Sequence, residues 1–145
     1  WLKRMNESMT NNKPVIELEG YRITSVDFTG YDTLVELEEL HLSSGKISAS
    51  VTIDSEIENA RLQLGTVVVD EDNLRTIEVE LTGYFIINEK TEAKKHLSVN
   101  GTAILFPYLR SIVSILSSLD NSNAIVLPTI NTHSFVEVEN QEDEI

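Results

Sequence analysis

Two stretches of the chain alternate apolar and polar residues with a period of two. Between Lys46 and Asp54, Ile47, Ala49, Val51 and Ile53 oppose Ser48, Ser50 and Thr52. Between Leu74 and Ile87, Ile77, Val79, Leu81, Phe85 and Ile87 oppose Glu78, Glu80 and Thr82. Successive side chains of a strand point to opposite faces, so each stretch predicts a strand with one buried face. Ala60 to Val69, with Leu62, Leu64 and a Val-Val-Val run, predicts a strand between them, and Asp70-Glu71-Asp72-Asn73 a polar hairpin turn. Strands joined this closely pair antiparallel. The face bearing Glu78 and Glu80 must be wet, which leaves one side of the sheet to solvent. Upstream, Val26 and Phe28 alternate with Ser25, Asp27 and Thr29 in a strand that runs from Tyr21 to Gly30. Thr33 to Leu42 mixes helical spacing (Leu34, Leu37, Leu40) with alternation at Leu40-His41-Leu42, and reads as an irregular strand-like segment.

After a charged connector, Glu89 to Lys95, the period changes. From Gly101 the spacing predicts a long helix, with Leu105, Leu109, Ile112, Leu116 and Leu119 as one seam. Ile104, Tyr108 and Ile115 flank the seam on one side, Phe106 and Val113 on the other. The apolar arc spans roughly 200°, against the ~100° a surface helix needs to cover one core. Ser111, Ser114, Ser117, Ser118 and Arg110 fill the remainder. Such a helix is buried on two sides, and in a small chain the second side is a partner subunit. Pro107 is expected in the first turn or so, where a missing N–H costs little. Asn121, Ser122 and Asn123 end the helix, and Ala124 to Ile130 follows as an extended apolar segment. These elements predict an α+β domain: a four-stranded antiparallel sheet with one long helix, from the C-terminal half of the chain, packed on one face. The division is a flexible N-terminal segment over 1–19, a domain over 20–135, and a solvated acidic tail over 136–145.

The chain has 145 residues, 24 acidic and 11 basic, for a net charge of −13. The basic residues are scattered, and the only adjacent pairs are Lys3-Arg4 and Lys94-Lys95. Phosphate binding needs clustered cations, so nucleic acid and anionic membranes are not expected partners. An acidic surface fits a basic partner or simply solubility. There is no cysteine, hence no disulfide framework and no thiolate zinc site, compatible with a reducing cytoplasm. No uninterrupted apolar run approaches the ~20 residues of a membrane span, and the N-terminus lacks an apolar signal region.

The chemistry of catalysis is not evident. His41, His96 and His133 are far apart and in no metal-ligand spacing. The glycines are isolated, and no nucleophile-elbow pattern occurs. Glu36, Glu38 and Glu39 read as a solvated face. The sequence therefore predicts no enzyme, no metal and no cofactor.

Leu105-Phe106-Pro107-Tyr108-Leu109-Arg110 resembles the LFPYAR segment of SecB-type protein-export chaperones. Leu127-Pro128-Thr129-Ile130-Asn131 resembles the LPPIN segment that follows the helix in that family. Val26 and Phe28 match its first-strand apolar step, and Gly83 and Phe85 a GGIF-like step in the last strand. The resemblance covers roughly residues 20 to 135. It implies a dimer of dimers, a homotetramer with the long helices sandwiched between sheets. It also implies a cytoplasmic, ATP-independent holdase for unfolded or pre-secretory polypeptides in protein export. The alternative is a SecB-like adaptor or scaffold for one specific partner such as an antitoxin. The resemblance extends to the preprotein translocase ATPase, for which Glu78 is the candidate contact. The family's other acidic contacts fall at the neutral Ser25 and Thr29, so client binding carries over better than ATPase docking. The first-crossover Trp-Pro element is absent, and the second helix is short or missing after Asn131.

For client binding the candidates are Val26, Phe28, Phe106, Leu127, Ile130 and Phe135, near element ends where an apolar groove can open. For the oligomer interface they are Leu109, Ile112, Val113 and Leu116. The same residues also suit an ordinary core. Tyr108 is expected to bury its ring and satisfy its hydroxyl, and Arg110 to pair with an acid from the sheet.

Overall fold

The computed structural model describes residues 13–120, 124–128 and 140–142. Strands β1 (Ile16–Gly30), β2 (Ile47–Ile53), β3 (Asn59–Asp70) and β4 (Arg75–Ile87) form the antiparallel sheet the alternation predicts. Their order is β1-β4-β3-β2, with a short strand β5 (Asn140–Glu142) added outside β2 in parallel. The first strand begins at Ile16, five residues before the predicted start. The stretch expected to be a solvated tail, 136–145, instead places Asn140–Glu142 in β5. Three residues of β2, Val51 to Ile53, pair with it.

Two tight turns have the same chemistry. Asp54 Oδ1 accepts from the Glu58 amide at 2.8 Å, and its Oδ2 from Asn59 Nδ2 at 3.2 Å. Asp70 Oδ1 accepts from the Asn73 amide at 3.3 Å, and its Oδ2 from Asn73 Nδ2 at 2.8 Å. Short acidic side chains that bond their own backbone are what such turns select. Ile57 sits in the first turn with a φ of 57°, a left-handed conformation that a β-branched residue rarely adopts.

The segment from Thr33 is a five-residue helix, α1 (Leu34–Glu38), not the strand-like stretch expected. Thr33 caps it: its hydroxyl accepts from the Glu36 amide at 3.2 Å, the first half of a Thr-x-x-Glu capping box.

The main helix is longer than its apolar pattern. It runs through α2 (Ala93–His96), a π-helical turn (Leu97–Gly101) and α3 (Thr102–Ser117). Ala93 to Lys95, expected in a connector, belong to it. Pro107 therefore lies well inside the helix and not in its first turn. Its absent amide would serve the Ala103 carbonyl, and Ala103 is exposed, so water can take that place. In length and composition the 25 residues Ala93–Ser117 suffice to cross a bilayer. Their seam, however, lies on the sheet, as in a core helix.

Two glycines permit the close approach. A Cβ on Gly101 would stand 3.2 Å from Leu62, and one on Gly83 3.0 Å from Phe85 and 3.2 Å from Leu105. Through them Leu105 reaches the centre of β4. Leu105, Leu109 and Val113 are fully buried with Leu62, Leu64, Ile77 and Leu81. Each such side chain contributes about 1.5–3 kcal/mol relative to exposure. The seam actually buried is Leu105, Phe106, Leu109, Val113 and Ser117, with Ile112 and Leu116 half-buried at its margin and Leu119 outside it.

Candidate functional site

Cross-strand partners share a face, so the register defines rows across the helix side of the sheet. One row is Tyr21–Gly83–Leu62–Val51, the next Ile23–Leu81–Leu64–Ala49, the next Val26–Val79–Thr66–Ile47. In each, the β4 and β3 positions are buried beneath the helix. The β1 position is not: Tyr21, Ile23 and Val26 are 41%, 47% and 44% exposed. The helix covers the middle of the sheet and leaves the β1 column bare.

That column forms because β1 changes phase twice. The pairing skips Glu19 and Thr24, so the inward positions are Ile16, Leu18, Tyr21, Ile23, Val26 and Phe28. Two β-bulges thus keep apolar residues on one face along all 15 residues of the strand. Thr24 at the second bulge donates to Glu80 Oε1 at 2.8 Å.

The helix adds a second wall. Tyr108 stacks against Tyr21 with ring centroids 4.5 Å apart and planes tilted by 30°. Ile104 and Ile115 lie four residues before and seven after Tyr108, on the same helix flank. Ile104, Tyr108, Ile115 and Leu119 are all exposed, Ile115 at 61% and Leu119 at 71%. Val126, beyond the helix, is also exposed. The strip so built takes Tyr21, Ile23 and Val26 from β1 and Ile104, Tyr108 and Ile115 from α3. Beside it runs the outer edge of β1, which pairs only with β4 among the described residues. An edge of unpaired N–H and C=O groups next to exposed apolar side chains can accept another strand.

The expected client residues divide. Val26 lies in the strip. Phe28 is half-buried at its end, its ring 5.8 Å from the Arg75 guanidinium carbon. Phe106 and Leu127 are buried in the core, at 6% and 4% exposure. Ile130 and Phe135 lie outside the described residues. Among the expected interface residues, Leu109 and Val113 are wholly enclosed by their own chain, so neither can face a partner as the helix stands. Ile112 and Leu116 are half-buried. The flank that does face outward is Ile104, Tyr108 and Ile115. Tyr21 and Ile23 were not expected, because plain alternation puts them on the face opposite Val26 and Phe28. Glu19 and Thr24 mark the two phase changes.

The other face of the sheet is polar. Asp27 and Glu78 are cross-strand partners there, with Ser25 beside Glu80 and Thr29 beside Thr76. Glu78 is exposed. Like charges opposite one another destabilise a ladder slightly, so this acidic pair is not a contribution to the fold.

Among the described residues, one charged side chain is buried. Arg75, 1% exposed, begins β4 on the helix side and donates from Nε to Asp70 at 2.8 Å. Its Nη1 donates to Asp120 and, at 2.7 Å, to the Ser117 carbonyl. Burial alone raises the Asp70 pKa. Hydrogen bonds from the Asn73 side chain, Arg75 and the Asn73 amide, with the Arg75 charge, outweigh it and hold the carboxyl below its ordinary 3.8. The cation at the helix end is Arg75, where Arg110 was expected to bind the sheet. Tyr108 is 40% exposed and not buried.

No protein-family model matches the chain. It is 26% identical over 132 residues to the uncharacterized protein MJ0357 of Methanocaldococcus jannaschii, covering 82% of this chain and 81% of that one. Among solved structures it is similar to the Mycobacterium tuberculosis SecB-like chaperone Rv1957, solved with a ChAD peptide from the Rv1956 HigA1 antitoxin. The TM-score is 0.61 at 13% identity, covering 89% of this chain and 98% of that one. A Streptococcus agalactiae protein of unknown function gives 0.61 at 14% identity, covering 79% and 97%. A four-stranded antiparallel sheet carrying one long helix, matched over nearly the whole of Rv1957, is a SecB-like fold.

Proposed function

We propose that this chain is an ATP-independent holdase that binds non-native polypeptide. The observation that carries the reading is the apolar strip of Tyr21, Ile23 and Val26 on β1 beside Ile104, Tyr108 and Ile115 on α3. Contiguous exposed apolar surface marks an interaction site. The adjoining β1 edge offers main-chain pairing, which tolerates any client sequence. The reading assigns no catalysis and no cofactor, and places the chain in the cytoplasm. It includes assembly as a dimer of dimers, with the far end of the helix flank, Ile115 and Leu119, against a second copy and the β1 column with Tyr108 toward client. Delivery to export would add the translocase ATPase, with Glu78 and Asp27 as carboxylates on the open face.

The test is aggregation of an unfolding model protein followed by light scattering without nucleotide. Suppression near stoichiometric ratio is expected, and Val26→Glu should weaken it. Undiminished aggregation at several-fold excess would sink the reading.

A second reading, an adaptor for one partner such as an antitoxin, is favoured by the peptide bound to Rv1957. It predicts selective capture of one protein and little protection of generic clients.

A further inference from the structure

The sheet has a second edge, at β2, and the chain's own residues occupy part of it. Asn140, Gln141 and Glu142 pair in parallel with Val51, Thr52 and Ile53. The rest of β2, Ile47 to Ser50, has no such neighbour among the described residues. We propose that this edge is a strand-accepting site for an extended polypeptide segment carrying basic residues, and that the tail is its intramolecular competitor. The inference extends the polypeptide-binding reading to a separate site.

The cap is weak by construction. It has three residues, and parallel pairing is slightly less stable per residue than antiparallel. Asn, Gln and Glu are poor strand formers. Charge opposes it further. Residues 136–145 carry five acids and no base, on a chain of net charge −13. Glu142 pairs with Ile53, the residue before Asp54. Asp54 stays ionised because the Glu58 amide, then the Asn59 side chain and amide, hold its pKa below the ordinary value against a partial desolvation. On a chain of net charge −13, an acidic strand docks against the overall field and a basic one would be attracted by it. The edge itself is well made. Val51 is fully buried, Ile53 nearly so, and the π-helical turn packs over β2. An incoming strand would meet a rigid, ordered ladder.

The experiment is hydrogen exchange on the full chain and on Gln141→Pro and Glu142→Pro. Of two successive residues one must present its N–H to β2, so one proline at least breaks the ladder. The outward amides of 51–53 should lose at least tenfold protection in that variant. A ten-residue probe with the sequence of 136–145 and lysine at its five acidic positions should restore it. The probe should bind the variant at least tenfold more tightly than the parent chain. Unchanged protection in both variants, or equal affinity for parent and variant, overturns the inference. Binding is measured in parallel to Val26→Glu. Loss of probe binding there places the peptide on the β1 strip and overturns the β2 site while upholding the holdase reading. Retained binding by a chain that has lost aggregation suppression upholds the β2 site on its own.

Discussion

Arg75 and Ser117 join the first residue of β4 to the last residue of α3: the guanidinium Nη1 donates to the Ser117 carbonyl across 2.7 Å. The bond satisfies a carbonyl that has no partner within its helix and sets a cation at the negative end of the helix dipole. Ser117 also accepts the Ile125 amide on its hydroxyl at 2.6 Å. The helix end, the sheet and the returning chain are thus held at one point. Arg75→Met keeps the volume but leaves the Ser117 carbonyl without its donor and Asp70 with the Asn73 bonds and no cation, and should cost about 3 kcal/mol. Denaturant unfolding would show it as a lower midpoint. A loss under about 0.5 kcal/mol would mean that water replaces the guanidinium.

Asp70 predicts how stability depends on pH. Its folded pKa lies below the unfolded value near 3.8. The stability it contributes is complete above that value and is lost as pH falls through the folded pKa. Asp70→Asn should therefore be less stable than the parent at pH 7, with the gap closing below about pH 3.8. Unfolding midpoints measured from pH 7 to pH 2 check this. A gap that widens in acid would reverse the sign of the argument.

Ile57 holds a φ of 57° in an exposed turn. A left-handed conformation costs an L-residue about 1–2 kcal/mol, and glycine removes that at a smaller cost in chain entropy. Ile57→Gly should raise stability by about 0.5–1 kcal/mol. Thermal melting decides, and a lower Tm would show that the Ile57 side chain packs usefully.

Thr102 is fully enclosed, and its hydroxyl has no hydrogen-bond partner among the described residues. A buried orphan costs about 1–3 kcal/mol, and an apolar group of the same shape does not incur it. Thr102→Val should stabilise the chain by about 1 kcal/mol. A destabilised variant in urea would point to a water at that hydroxyl.

The helix face is tested by contrast. Leu109→Glu places a carboxylate in the core and should abolish cooperative folding. Ile115→Glu alters only the outward flank, so circular dichroism should be unchanged while the mass by light scattering falls. Equal mass for Ile115→Glu and the parent would remove that flank from any assembly.

The strands were legible because each pairs a buried row with a wet one. Val51 and Leu81 could be placed from period alone. The phase of β1 was not legible, since Glu19 and Thr24 stand outside the pairing and no period crosses a bulge unbroken. Plain alternation from Val26 and Phe28 therefore puts Tyr21 and Ile23 on the opposite face. The width of its apolar arc did show that the helix carries more apolar surface than its own sheet covers, and Ile104 and Ile115 are the excess. Its rotation was misjudged by about one position, because Phe106 and Val113 proved to be core and Leu119 did not. Arg75 gave no signal, as its partners lie both 5 and 45 residues away. The capping box at Thr33 was readable, but Leu40-His41-Leu42 drew attention to alternation instead.

The strand order has a consequence for synthesis. Ile16 pairs with Ile87, and every other pairing of β1 is likewise with β4. A ribosome adds about 5–20 residues per second, so the first strand emerges several seconds before β4, its one partner strand among the described residues. During that interval Tyr21, Ile23, Val26 and Phe28 are unshielded on an unpaired segment. Closing so distant a contact is also slow in a free chain, because the loop entropy is lost before the ladder forms. Until β4 arrives, β1 is thus the stretch of the nascent chain most exposed to mispairing.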